Sequence, residues 1–194
     1  KHDAELRDVL TFLLFTGARR SEIIGDPKIP DKEPLRWSQV DFGRQEVTFL
    51  NTKIGNDHVL PIGSRLTKML ADRKKISRSE FVFADSDGVV PTDLRAAFTR
   101  LHKLTNVRIS AHDLRRTFIS AAELSVGIPE MIVRKLTNHA TGSKARADAH
   151  AGYLSVETMD TRQAIQKIEN WILEQPIARE SKAAGVVPLR SARA

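Results

Sequence analysis

Six side chains, strung in order along the chain, are of the types that could handle a phosphodiester without a metal. Arg19 stands in Thr16-Gly17-Ala18-Arg19-Arg20-Ser21-Glu22, and Lys53 in Thr52-Lys53-Ile54-Gly55. His112 and Arg115 fall in His112-Asp113-Leu114-Arg115, His139 ends Leu136-Thr137-Asn138-His139, and Tyr153 is the only tyrosine. Guanidiniums can grip the non-bridging oxygens of a phosphate bidentately, a fork that an ammonium cannot reproduce. In that position they would stabilise the charge that develops on a five-coordinate phosphorus. Histidines can donate hydrogen bonds or accept a proton, and a lysine can protonate a departing oxygen. A tyrosine can attack the phosphorus, provided that the site favours its phenolate, since the free phenol titrates near pH 10.

Each signal alone has an ordinary structural explanation. His-x-x-Arg is a short motif that occurs by chance, and Arg19 with Glu22 could be a surface ion pair of little energetic weight. Lys53 could serve solubility, His139 could cap helix carbonyls, and Tyr153 could pack in a core. Placement adds information. Gly17 is suited to end one helix, so Arg19 emerges at the entrance of the next, where free backbone N–H groups also favour an anion. Glu22, one turn further on, could hold the guanidinium in orientation. His112 and Arg115, three apart at the start of an amphipathic helix, share a face near its positive end.

The elements that must position these groups can be traced from periodicity. Leu6, Val9, Leu10, Leu13 and Leu14 recur at helical spacing between Asp3 and Phe15, and a short helix follows from near Arg19. Residues 25–34 carry three prolines and form a loop. Leu35–Val40, Gln45–Leu50 and His58–Ile62 are strand candidates, with Gly55-Asn56-Asp57 as a turn, giving a small antiparallel sheet. Leu66, Met69 and Leu70 mark a helix, and Phe81-Val82-Phe83 a brief apolar strand. Thr92 is expected to cap a helix with Leu94, Ala97, Phe98, Leu101 and Leu104 on its inner face. Helical spacing returns from Asp113 to Ser125, with Gly127 closing that helix and Pro129 in the first turn of another. A last helix spans about Val156 to Leu173, with Ile165, Ile168 and Ile172 inward. Trp37 is assigned to the core. The fold class is α+β, mostly α-helical with one small antiparallel sheet.

Bulk composition narrows the partners. The chain has 194 residues, 41% hydrophobic, enough for one domain (1–175) with a basic, flexible tail (176–194). No run of apolar residues is long enough to span a membrane, and no secretory leader is visible. There are no cysteines, which removes disulfides and thiolate metal sites and fits a reducing cytosol. The histidines lack zinc-ligand spacing, and Asp85-Ser86-Asp87-Gly88 lacks the remaining ligands of a calcium loop. A net charge of +7 suits a polyanion, and it is clustered: six Lys/Arg face one Asp between Arg95 and Arg116. Aromatics are only 6%, so backbone recognition of duplex DNA fits better than base stacking.

The ordered set resembles the tyrosine recombinases, also called phage-type integrases. They carry an Arg in a Thr-Gly-x-Arg-x-x-Glu segment (Arg19 here) and a Lys in a β-hairpin (Lys53). A His-x-Leu-Arg segment (His112, Arg115), a Leu-x-x-His segment (His139) and a downstream tyrosine nucleophile (Tyr153) follow. An aromatic in a Leu-x-Trp strand corresponds to Trp37. The resemblance implies the tyrosine recombinase catalytic-domain fold. It also implies cleavage and rejoining of double-stranded DNA through a 3′-phosphotyrosyl bond, without metal, cofactor or ATP. It further implies integration or excision of a mobile element or prophage, a DNA-bound tetramer in which the tail at 176–194 could dock on a partner protomer, accessory DNA-bending proteins, and a cytoplasmic, nucleoid-associated location. Type IB topoisomerase-like relaxation, or a cleavage-deficient DNA-binding protein of the same fold, are the alternatives. The stretches at 25–34 and 140–150 are longer than is usual in the family. An N-terminal core-binding domain is also missing, which predicts a fragment with weak DNA affinity on its own.

Overall fold

The computed structural model describes residues 2–29, 31–50, 52, 57–139 and 158–175. Lys53, Tyr153, most of the hairpin turn at 55–57, the stretch at 140–150 and the tail at 176–194 lie outside them or at their edge. Seven α-helices and a three-stranded sheet make up the described part: α1 (His2–Thr16), α2 (Arg20–Ile24), α3 (Ser64–Ile76), α4 (Arg95–Thr105), α5 (Ala111–Ser120), α6 (Glu130–Leu136) and α7 (Thr158–Glu174). The strands β1 (Val40–Asp41), β2 (Glu46–Phe49) and β3 (His58–Pro61) lie in that order, all antiparallel, with Val47 opposite both Val40 and Leu60. The mostly helical α+β class read from the sequence is the observed one. No helix among the described residues is long and apolar enough to cross a membrane.

The core forms where α1 meets the sheet and α5. Phe12, fully buried, packs edge-on against Phe49 of β2 and Phe83, with ring centroids 6.4 and 5.3 Å away. Gly17 ends α1 at φ 62°, its N–H donating to the Leu13 carbonyl at 2.9 Å. A methyl group there would stand 2.6 Å from Phe118 of α5, so the turn needs glycine both for its backbone and for the close approach of the two helices. That approach brings the α1–α2 turn, which carries Arg19, beside α5, which carries Arg115. Helix α7 is pinned to the rest by buried polar contacts. The Glu169 carboxylate accepts the N–H groups of Arg65 and Leu66 at 2.8 and 3.0 Å, capping the N-terminus of α3.

Several expected elements are corrected. Leu35–Val40 is not a strand. Only Val40 joins the sheet, Trp37–Gln39 turns into a 3₁₀ helix, and Arg36 forms an isolated bridge with Phe81. The reason lies in where the backbone groups go: Leu35 donates to Ile23 and accepts from Val82, while Trp37 donates to Glu80. Phe81-Val82-Phe83 likewise fails to become a strand, because the buried Arg73 guanidinium takes the Val82 and Ala84 carbonyls at 2.5 and 2.7 Å. Trp37 is in the core, as expected. Thr92 does not cap α4. The Asp93 carboxylate accepts the Arg95 N–H instead, at 2.8 Å, and Leu104 points to solvent. The helix expected over Asp113–Ser125 starts earlier, at Ala111, where Ser110 and Asp113 cap each other reciprocally. It ends in a π-helical turn, Ala121–Ser125, in which Val126 donates to the Ala121 carbonyl. Pro129 stands just before α6 rather than in its first turn.

Candidate active site

Four of the six predicted site residues lie among the described residues, and the fold gathers them. Arg19 sits at the entrance of α2. Its backbone N–H and its guanidinium both bind Glu22, at 2.7 Å to Oε2 and 3.0 Å to Oε1. The second guanidinium nitrogen, Nη2, donates to the Asn138 carbonyl at 2.9 Å. Arg115 projects from the first turns of α5 into the interior, only 6% exposed. It donates to the Gly17 carbonyl at 2.5 Å and to the Thr137 carbonyl at 2.6 Å. The two guanidiniums are therefore held by adjacent carbonyls, Thr137 and Asn138, and converge at the end of α6.

These carbonyls are suited to the task. The last carbonyls of a helix have no intrahelical partner and carry partial negative charge, so cations supply what they lack. Each guanidinium has five N–H donors, and the contacts described engage two of them in each case. The rest can face a ligand. Both arginines and the exposed His112 line one open groove of about 780 Å³, whose other walls include Lys28, Arg20 paired with Asp26, and Arg95 paired with Asp93, so that cations outnumber carboxylates.

The electrostatics report the same proximity. Burial pushes the Arg115 guanidinium down to about 10, the charge of Arg19 adds to this, and Glu22 opposes it. Arg115 thus stays charged at neutral pH. His139 follows α6, with Nδ1 3.0 Å from Thr137 Oγ1. The Thr137 hydroxyl already donates its proton to the Val133 carbonyl at 2.7 Å, so it can only accept from the ring. Neutral His139 therefore carries its proton on Nδ1, and among the described residues no hydrogen bond engages Nε2. Desolvation, then Arg115, Arg19 and Arg134, hold its pKa below the usual histidine value.

Three neighbours were not singled out from the sequence. His58, at the start of β3, has Nε2 2.9 Å from the Lys135 carbonyl and stacks on Phe49. Burial, first, lowers its pKa, with Arg19 and Arg115 adding to the effect against Glu22 and the Lys135 carbonyl. Asn138 Nδ2 donates to Thr52 Oγ1 at 2.9 Å. Lys32, from the long 25–34 loop, is shifted down by burial and by Arg19, while Glu22 raises it. An Asn at a helix end is a sequence signal for a left-handed turn, and Asn138 was readable on that ground. His58 and Lys32 gave no such signal.

A family model described as the phage integrase family matches residues 1–153, a span that runs from α1 through the whole cluster. A comparison with curated proteins finds no match. The matched span covers most of the chain, and the architecture is the expected α+β one. The chain belongs to the phage integrase family, as a tyrosine recombinase catalytic domain.

Proposed function

We propose that this domain cuts and rejoins double-stranded DNA through a covalent 3′-phosphotyrosyl bond. The observation that carries this reading is the convergence of Arg19 and Arg115 on adjacent carbonyls beside an open basic groove. The two guanidiniums bind the non-bridging oxygens of the scissile phosphate and stabilise the charge that builds on them. His112 adds a hydrogen bond from the groove wall. Tyr153 attacks phosphorus as its phenolic proton passes to His139 Nε2. The P–O5′ bond breaks, and Lys53 protonates the departing 5′ oxygen. Rejoining is the reverse: the 5′ hydroxyl attacks, the proton returns, and the phosphotyrosyl bond opens. The phosphoester is conserved throughout, so strand exchange requires no nucleotide hydrolysis. Protomers assembled as a tetramer on two duplexes integrate or excise a mobile element by this chemistry.

The reading is tested with a pool of nicked duplexes of random sequence at low salt, in which cleavage next to the nick releases a short strand and traps the adduct. A covalent protein–DNA band on a denaturing gel is expected, and Tyr153→Phe is expected to remove it entirely. A band that persists in Tyr153→Phe places the nucleophile elsewhere, and no band from the unaltered protein overturns the reading.

A pH dependence follows from His139. Its folded pKa is lowered, so the neutral form that accepts a proton prevails at pH 7 and is lost only as pH falls through that lowered value. The acid limb of single-turnover adduct formation should therefore lie below the ordinary histidine pKa of about 6.5. In His139→Ala that limb should vanish, along with much of the rate. A limb at or above the ordinary value, unmoved in His139→Ala, would assign the titration to another group.

A further inference from the structure

The end of α6 does more than present His139. Side chains from four other segments reach residues 135–138: His58 to the Lys135 carbonyl, Arg115 to Thr137, Arg19 to Asn138, and Thr52 to the Asn138 side chain. Thr52 and His58 flank residues 53–57, so both arms of the β2–β3 hairpin are tied to the same turn that holds the two arginines. Asn138 makes two of these four ties, one through its carbonyl and one through its amide. Its φ is 48°, in the left-handed region that glycine and asparagine tolerate best. A glycine would satisfy the backbone equally well and would still offer its carbonyl to Arg19. It is the amide of Asn138, which glycine lacks, that reaches Thr52, itself buried.

We propose that Asn138 is a positioning residue for strand cleavage: its carbonyl fixes Arg19 while its amide registers the base of the β2–β3 hairpin against the arginine pair. This rests on the cleavage reading above and refines it, because the hairpin carries Lys53, the proposed acid for the leaving oxygen. Removing the amide loosens the acid and leaves the arginines in place. The defect should then appear only where the leaving group needs a proton.

The test compares two versions of one nicked duplex, chosen from the trapped pool, with oxygen or sulfur at the bridging 5′ position of the scissile phosphate. A thiol has a pKa of about 8.5 and departs as thiolate without help. Asn138→Gly keeps the left-handed turn and loses the amide. On the oxygen substrate it is expected to form adduct about tenfold more slowly, the equivalent of one hydrogen bond. On the sulfur substrate it should match the unaltered protein within about twofold, as should Lys53→Ala, since neither then lacks a needed proton. Thr52→Val, which removes the oxygen that the amide reaches, should show the same split. Equal losses on both substrates, in either variant with a native melting curve, mean that Asn138 acts on the arginines or the fold, and the proposal fails. Cleavage at the unaltered rate on both substrates also sinks it. If the unaltered protein forms no adduct on either duplex, it is the cleavage reading itself that falls.

Discussion

Arg115→Ala is expected to lower the rate of covalent cleavage by about 10²–10³-fold, the usual consequence of removing one donor to a developing oxyanion. It should also destabilise the fold by about 3 kcal/mol, because it leaves two buried carbonyls without their donor. Both effects follow from one geometry. Arg115 is 6% exposed, and its guanidinium bridges the Gly17 carbonyl, at the turn between α1 and α2, to the Thr137 carbonyl at the end of α6. Removing it uncouples the turn that carries Arg19 from the turn that carries His139. Arg115→Lys separates the two roles. An ammonium restores the charge and can satisfy one of the carbonyls, but it cannot present a planar fork to both and to a phosphate as well. It should recover part of the stability and little of the rate. Urea melts and single-turnover adduct formation on the same protein samples measure both. If Arg115→Ala melts like the unaltered protein, the two carbonyl contacts carry no weight, and Arg115 is held by something else.

The parts of this site that were legible in the sequence are those in which cause and consequence lie close together. Thr16-Gly17-Ala18-Arg19-Arg20-Ser21-Glu22 contains its own geometry: the glycine needed at φ 62°, the arginine it delivers to a helix entrance, and the carboxylate three residues on that binds it. His112 and Arg115, three apart near the start of one helix, could be placed on a shared face, though the burial of Arg115 could not. What holds these groups together was not legible. The Gly17 carbonyl that receives Arg115 is 98 residues away, and Thr52 is 86 residues from Asn138. Backbone carbonyls carry no residue-type signal, so long-range contacts to them leave no trace in composition or spacing. The failed strands have the same origin. Phe81-Val82-Phe83 has the apolar content of a strand, yet Arg73 claims its neighbouring carbonyls through side-chain bonds. Propensity describes what a segment prefers, and here a buried guanidinium decided otherwise.

The charge of Glu22 raises the pKa of Arg115, His58 and Lys32 alike. It is 6% exposed, and its two oxygens take the Arg19 guanidinium and backbone N–H. Glu22→Ala is therefore expected to destabilise the domain by about 3–5 kcal/mol, the range for breaking a buried ion pair from one side. Glu22→Gln keeps the volume and an acceptor and should lose less. The more telling measurement is the response to inorganic phosphate. An anion that binds only the folded state stabilises it in proportion to RT ln(1 + [L]/Kd). In the unaltered protein the carboxylate repels an anion bound by Arg19 and Arg115. In Glu22→Gln that repulsion is gone, so added phosphate should raise the melting temperature more in the variant than in the unaltered protein. Cleavage should move the opposite way, because an unrestrained Arg19 binds a phosphate without holding it in line for attack. Tighter anion binding with slower chemistry is what results when a counter-ion orients a cation as well as neutralising it. If Glu22→Gln gains no extra stabilisation from phosphate, the two arginines do not share an anion site with Glu22 beside it, and the arrangement proposed for the scissile phosphate loses its electrostatic basis.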